Sequence, residues 1–299
     1  MMESVATATT IACEIARLPV DLISALIART GPRDACRAAV VSPTFHTAAD
    51  SDIVWNSFLP SNLPLSALGE LSPLAPSKKA LFMQLFDGPV LLADGLTSIW
   101  LDKETGAMCY MLSARKLNID WSEVPIAGYG WIPINYRWIP ITGSRIFSDA
   151  AKCWSGLRME IHGKINSSML SKHTTYTAYI VLGVDDGCCC FGSCQKTPVT
   201  ISLGGRMSTR DVLLDSHDLE HLHSWQMRRG GISRACGALL GYPRFSSQRA
   251  DGWMELELGD FHSGEGDDGE VSISLVDTSF RRSGLIVLGI EIIAKGQEA

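Results

Sequence analysis

The chain has 299 residues, a formal net charge of −6, 46% hydrophobic residues and 19% charged ones. That length suggests two domains, and the apolar share is that of an ordinary globular chain with a sizeable core. The acidic balance, with basic residues clustered no further than pairs such as Arg228-Arg229 and Arg281-Arg282, speaks against nucleic acid or an anionic membrane as partner.

Residues 1–16 are small and polar, with Glu3 and no basic n-region, so they read as a flexible tail and not as a secretory signal. No apolar run approaches the roughly eighteen residues of a membrane span. Nine cysteines is an odd count without a regular spacing. With no signal, reduced thiols in a cytoplasmic or nuclear protein are expected.

Residues 17–60 carry four helix-start signals. Leu18-Pro19 opens the first helix, where proline's missing N–H costs nothing. Leu22, Ile23, Leu26 and Ile27 then form one apolar stripe. Gly31-Pro32 opens the second helix, with Asp34 in its first turn, where a carboxylate suits the positive helix end. Ser42-Pro43 opens the third, and Ser51 caps the fourth. A unit this small holds only a marginal core. Leu22, Ile23, Leu26, Ile27, Val40, Val41, Phe45, Val54 and Trp55 are more than it can enclose. Each large side chain is worth about 1.5–3 kcal/mol on burial, so three or four suffice for a stable contact with another surface. That surface is either a neighbouring part of the same chain or a partner.

The series LPVDLI, PRDACRAA, VSPTF and AADSDIVW, in this order, resembles an F-box. The resemblance implies docking on a Skp-type adaptor that bridges to a cullin-based ubiquitin ligase. Carried over, the docking face would comprise Leu18, Pro19, Ile23, Cys36, Val40, Val41 and Phe45.

Residues 61–97 read as a linker. Pro64, Pro73 and Pro76 interrupt its first part, and a helix follows from Ser77 with Leu81, Phe82, Leu85 and Phe86 along one side. Asp87-Gly88-Pro89 ends it. From Trp100 onward the period becomes two. Leu157, Met159 and Ile161 alternate with polar residues, as do Val199, Ile201 and Leu203, then Met254, Leu256 and Leu258, then Val271, Ile273 and Leu275. Ile286, Leu288, Ile290 and Ile292 give a last, more apolar strand, expected to share one face. Such alternation marks antiparallel sheets with one buried face. The exception is a short helical possibility at Ser148–Cys153. The expectation is an α+β chain in which a small helical domain precedes an antiparallel β-sandwich.

The segments SIWLDKETGAMCYMLSARKLNIDW, SRIFSDAAKCW, LRMEIHGKI, MLSKHTTYTAYIVL, DGWMELELGDF and SGLIVLGIEI, in order, resemble the phloem lectin (phloem protein two) family of plants. The resemblance spans residues 98–295. It implies a jelly-roll-like sandwich and binding of N-acetylglucosamine-type glycans. Sugar rings stack apolar C–H faces on aromatic rings, which makes Trp121, Trp131, Tyr136 and Trp138 the carbohydrate-binding candidates. Trp121 matches the family's strand-ending tryptophan. The family's Tyr-Trp-x-Trp is replaced here by a near-repeat, YGWIPIN then YRWIPIT, so either Trp131 or Trp138 could take the second role. Core packing is the competing reading of all of these rings.

Other clusters are weaker. Trp253, Glu255 and Glu257 share a strand face, but residues two apart lie about 7 Å apart and point the same way. Glycosidase carboxylates must flank the bond. An ordinary solvated face is the plainer expectation. Cys188, Cys189, Cys190 and Cys194 lack zinc-ligand spacing, and adjacent strand residues point to opposite faces. His217, His221 and His223, near Asp215, Asp218 and Glu220, read as a polar loop. No phosphate-binding loop or nucleophile elbow is present. The expectation is therefore no catalytic residue, no metal and no cofactor. The resemblances together imply a substrate-recognition adaptor whose partners are a Skp-type protein, through it a cullin, and a client protein or glycoprotein. A free lectin that recruits no ligase is the alternative.

Overall fold

A computed structural model describes residues 18–64, 76–120, 135–141, 146–155, 159–184, 196–213, 247–277 and 284–296. The chain divides into two compact units: Met1–Ser61 with Leu71–Gln84, and Asn62–Glu70 with Leu85–Ala299.

The first unit holds α1 (Val20–Ile27), α2 (Pro32–Ala38), α3 (Pro43–Ala49) and α4 (Asp52–Phe58). Its local rules are those of the sequence. Pro32 and Pro43 sit in first turns, the Ser42 hydroxyl accepts from the Phe45 amide, and the Ser51 hydroxyl accepts from the Ile53 amide. Pro19 stands one place earlier than Pro32 and Pro43 do, as the N-cap of α1. The core is narrow: Ile23, Ile27, Ala35, Ala48, Ala49, Val54 and Trp55. The Ser24 hydroxyl donates to the Ala48 carbonyl at 3.0 Å and the Trp55 indole to that of Ala49 at 2.7 Å, so both buried polar groups are satisfied. The helix predicted after the linker is α5 (Lys78–Asp87). Its first turn is tied to α4 by the Lys78 amide on Asp52 (2.8 Å), and Phe82 lies 5.2 Å from Trp55, ring to ring.

The second unit is strand after strand. In chain order these are β1 (Val90–Leu91), β2 (Thr97–Leu101), β3 (Met108–Ser113), β4 (Asn118–Asp120), β5 (Asn135–Pro140), β6 (Asp149–Ser155), β7 (Met159–Asn166) and β8 (Thr174–Val184). Then come β9 (Lys196–Leu203), β10 (Arg206–Leu213), β11 (Ser247–Gln248), β12 (Met254–Ser263), β13 (Glu270–Asp277) and β14 (Leu285–Ala294). A nine-stranded sheet runs β1-β2-β3-β14-β8-β12-β11, with β6 beside β14 and β5 beyond it. A five-stranded sheet runs β10-β9-β13-β7-β4. Every pairing is antiparallel. This is the α+β arrangement of helices followed by an antiparallel sandwich.

The alternation predicted for β7, β9 and β13 holds: Met159, Ile161, Val199, Ile201, Leu203, Val271, Ile273 and Leu275 are all buried. Leu157 lies outside the described residues. Two expectations fail. Ser148–Cys153 is not helical; it forms most of β6, because its backbone groups pair with both β5 and β14. Ile286, Leu288, Ile290 and Ile292 do not share a face. The register slips between Val287 and Gly289, and an extra residue in a strand reverses the side-chain alternation beyond it. Ile290 stays inward, close to Gly163 of β7, while Leu288 joins Met111, Phe147, Ala150 and Val181 on the outer face. Gly289 is required there: a Cβ would stand 2.1 Å from the Leu112 carbonyl oxygen. Among the described residues no helix is long and apolar enough to cross a membrane.

Candidate functional site

The helical unit keeps an apolar surface in water. Ile23 and Ile27 of α1 turn inward, and Leu22 and Leu26, one position earlier in each pair, turn outward at 52% and 55% exposure. A row at i and i+4 covers only part of a helix circumference, so a four-residue stripe serves two directions at once. Val40 and Val41, in the turn after α2, are 86% and 66% exposed, and Cys36 and Pro19 are exposed as well. Leu18 and Phe45 are half-buried. Ile23 departs from the expected docking face: at 1% exposure it is a core residue and offers no surface. Leu22 and Leu26 are the large apolar residues that α1 leaves exposed. Arg29, Arg33 and Arg37 are exposed in the same unit, Arg37 bonding Asp34 at 3.0 Å.

The aromatic candidates of the β unit are reached in part. Trp121 and Trp131 lie outside the described residues. Tyr136 is placed by its backbone, in register with Cys153 of β6. Trp138 is half-buried, opposite Ala151, and the Arg115 guanidinium lies 4.3 Å from its ring centroid. Arg115 is itself held by Asp149 (Nε to Oδ2, 3.0 Å). A cation over the ring occupies one stacking face of this tryptophan.

The Trp253, Glu255 and Glu257 face is not an ordinary solvated one. Both carboxylates are half-buried and engaged: Glu257 accepts from Arg210 at 2.7 Å, and Glu255 lies 3.6 Å from Arg249. Arg249 also donates to Glu291 at 2.6 Å. Glu291 is 4% exposed, and this burial raises its carboxyl above the usual range, with Arg249 pulling the other way. Trp253 packs over Gly183, where a Cβ would come within 3.0 Å of the ring. Sequence alone gave no sign of Arg249 or Glu291 as partners, because they lie far apart along the chain and only the sheet joins them. Arg249 is shared by Asp251, Glu255 and Glu291, so the cluster fastens the segment before β12 onto the sheet.

Cys188, Cys189, Cys190, Cys194, His217, His221 and His223 lie outside the described residues. Among the described residues no group of three or more His, Cys, Asp or Glu could hold a metal ion. Cys109 is buried, and burial pushes its thiol up to about 12.

Comparison with known proteins agrees with this division. The model of the F-box domain matches residues 15–57, and that of Phloem protein 2 matches residues 107–294. F-box protein PP2-B10 of Arabidopsis thaliana is 39% identical over 285 residues, covering 92% of each chain. F-box protein SKIP3 of the same plant is 34% identical over 283 residues, covering 92% of this chain and 87% of its own. Among solved structures, a family 35 carbohydrate-binding module from Clostridium thermocellum aligns with 62% of this chain and 98% of its own, at 11% identity and a TM-score of 0.30. So loose a superposition bears on neither ligand nor site.

Proposed function

The chain belongs to the phloem protein 2 family and carries an F-box ahead of that domain, and on this basis we propose that it is a substrate-recognition adaptor of a Skp-cullin-F-box ubiquitin ligase. An F-box implies a non-catalytic adaptor subunit, and a phloem protein 2 domain implies a lectin-like body. In the proposal the helical unit docks on a Skp-type protein and the β unit captures the client, through an N-acetylglucosamine-type glycan or directly. Ubiquitin transfer belongs to the partners. The work is placed in the cytoplasm or nucleus, where reduced thiols such as Cys36 persist.

The observation that supports the docking half most is the open stripe of Leu22, Leu26, Val40 and Val41. Four large aliphatic side chains stand in water on one small unit, apolar surface that its own core does not use. The docking set is therefore Leu18, Pro19, Leu22, Leu26, Cys36, Val40, Val41 and Phe45. The test is binding of the full chain to an immobilised Skp-type adaptor. Val40→Glu with Val41→Glu is expected to weaken binding by about tenfold or more, with an unchanged circular dichroism spectrum. Undiminished binding would discredit the assignment.

The glycan half rests on Trp121, Trp131, Tyr136 and Trp138. A glycan array probed with the full chain tests it, with a weakened signal in Trp121→Ala expected. Glycan binding without adaptor binding would make the protein a free lectin.

A further inference from the structure

One end of the β unit holds a cleft of about 690 Å³, within the size range of small-molecule sites. Four separate segments build it: the turn between β2 and β3 (Glu104, Thr105), the start of β8 (His173, Thr175), the end of β12 (His262) and the residues closing β14 (Lys295). Among the described residues no aromatic carbocycle lines it.

We infer that this cleft is a second ligand site, for a neutral, hydroxyl-rich ligand of the saccharide class. The inference rests on the reading of the β unit as a glycan-capturing body and adds a subsite to it.

The charges of the lining favour that class. Lys295 Nζ is 3.3 Å from Asp260, and His173 Nε2 is 4.0 Å from Glu265, so both basic groups already face acids. An added anion would meet Glu104, whose carboxylate makes no ion pair among the described residues. An added cation would meet the Lys295 ammonium. Apart from Ala107 and Gly296, each lining residue among those described carries a polar or charged side chain. What the cleft offers is mixed donors and acceptors at short spacing, the complement of vicinal hydroxyls, each of which both donates and accepts.

Two features fix that lining in place. The Thr175 hydroxyl is 3.2 Å from His262 Nδ1, which orients the imidazole and leaves Nε2 as its remaining polar atom. His173 has φ +54°, and it is the only non-glycine residue with positive φ among the described residues. Strained backbone of this kind is maintained where the surroundings hold it, often at ligand sites. Here the Thr174 hydroxyl bonds the Lys172 carbonyl across it (3.0 Å).

The test is isothermal titration of the full chain with trimers of N-acetylglucosamine, mannose and galactose, in wild type, Glu104→Gln, Thr175→Val and Trp121→Ala. At least one trimer is expected to bind wild type and Trp121→Ala, and to bind each cleft variant about tenfold more weakly. Glu104 is exposed and its change is isosteric, so that variant stays informative if Thr175→Val folds poorly. Binding lost only in Trp121→Ala would overturn the cleft and leave the glycan reading standing. No binding of any trimer to wild type would overturn both.

Discussion

The two units handle apolar surface in opposite ways. In the β unit, Ile99, Leu112, Ile180, Leu182, Ile290 and Ile292 are sealed between the sheets or against their neighbours. In the helical unit, Leu22, Leu26, Val40, Val41 and Ile53 remain more than half exposed. The same residue types thus do two jobs. Where strands supply long-range partners, aliphatic side chains hold the fold; where short helices run out of partners, they remain available to another protein.

The widest gap between the units should be seen in thiol labelling. Cys36 is exposed on the helical unit, and Cys109 is buried in β3 with its thiol pushed up to about 12. Site-resolved labelling by mass spectrometry is expected to modify Cys36 on the order of a thousandfold faster or more. A bound Skp-type adaptor should protect Cys36. Comparable rates would break the contrast between an open and a closed unit.

Inside the helical unit, the same contrast separates core from face. Trp55→Ala removes a fully buried ring and its bond to Ala49, and is expected to cost about 3–5 kcal/mol in urea unfolding. Leu26→Ala, on the open face, should stay within about 0.5 kcal/mol and yet weaken adaptor binding. A large stability loss in Leu26→Ala would mean that the stripe serves the fold.

The β unit offers a pH-dependent test. Glu291 has a raised pKa when folded, so its contribution to stability falls as pH rises from the ordinary carboxylate range through its folded value. Arg249→Ala removes the basic partner and raises that folded value further. The expected loss is about 3 kcal/mol at pH 7 and smaller at a more acidic pH, because protonation of the folded carboxyl removes the unpaired buried charge. Equal losses at both pH values would mean that Arg249 only anchors its segment. The smallest effect belongs to the caps: Ser42→Ala should lower stability by about 1 kcal/mol, through the amide of Phe45 left without its acceptor.

Much of this was legible in the residues. Serine and proline mark where each short helix begins, because capping is a local matter of a few backbone amides. Alternation marks β7, β9 and β13, because a strand between core and water writes its two faces at period two. The β14 stripe misled, since one extra residue at the bulge reverses every side chain beyond it without leaving a trace in hydrophobicity. Ser148–Cys153 misled because its partners, β5 and β14, lie elsewhere in the chain. The exposed residues of α1 were half legible: Leu22, Ile23, Leu26 and Ile27 are one apolar band in sequence, and only packing against α3 and α4 decides which two remain outside.

By itself, the order of residues determined the class of the protein, helices followed by an antiparallel sandwich, and the motifs that place it in its family. Those are local patterns, set by caps, periods and turns. Tertiary structure alone decided that Ile23 is core while Leu22 is surface, that Glu255 and Glu257 are engaged and not free, and that Glu104, His173, His262 and Lys295 meet at one end of the β unit. Such outcomes depend on which distant segments become neighbours, and a linear pattern carries no information on distances between residues that only folding brings together.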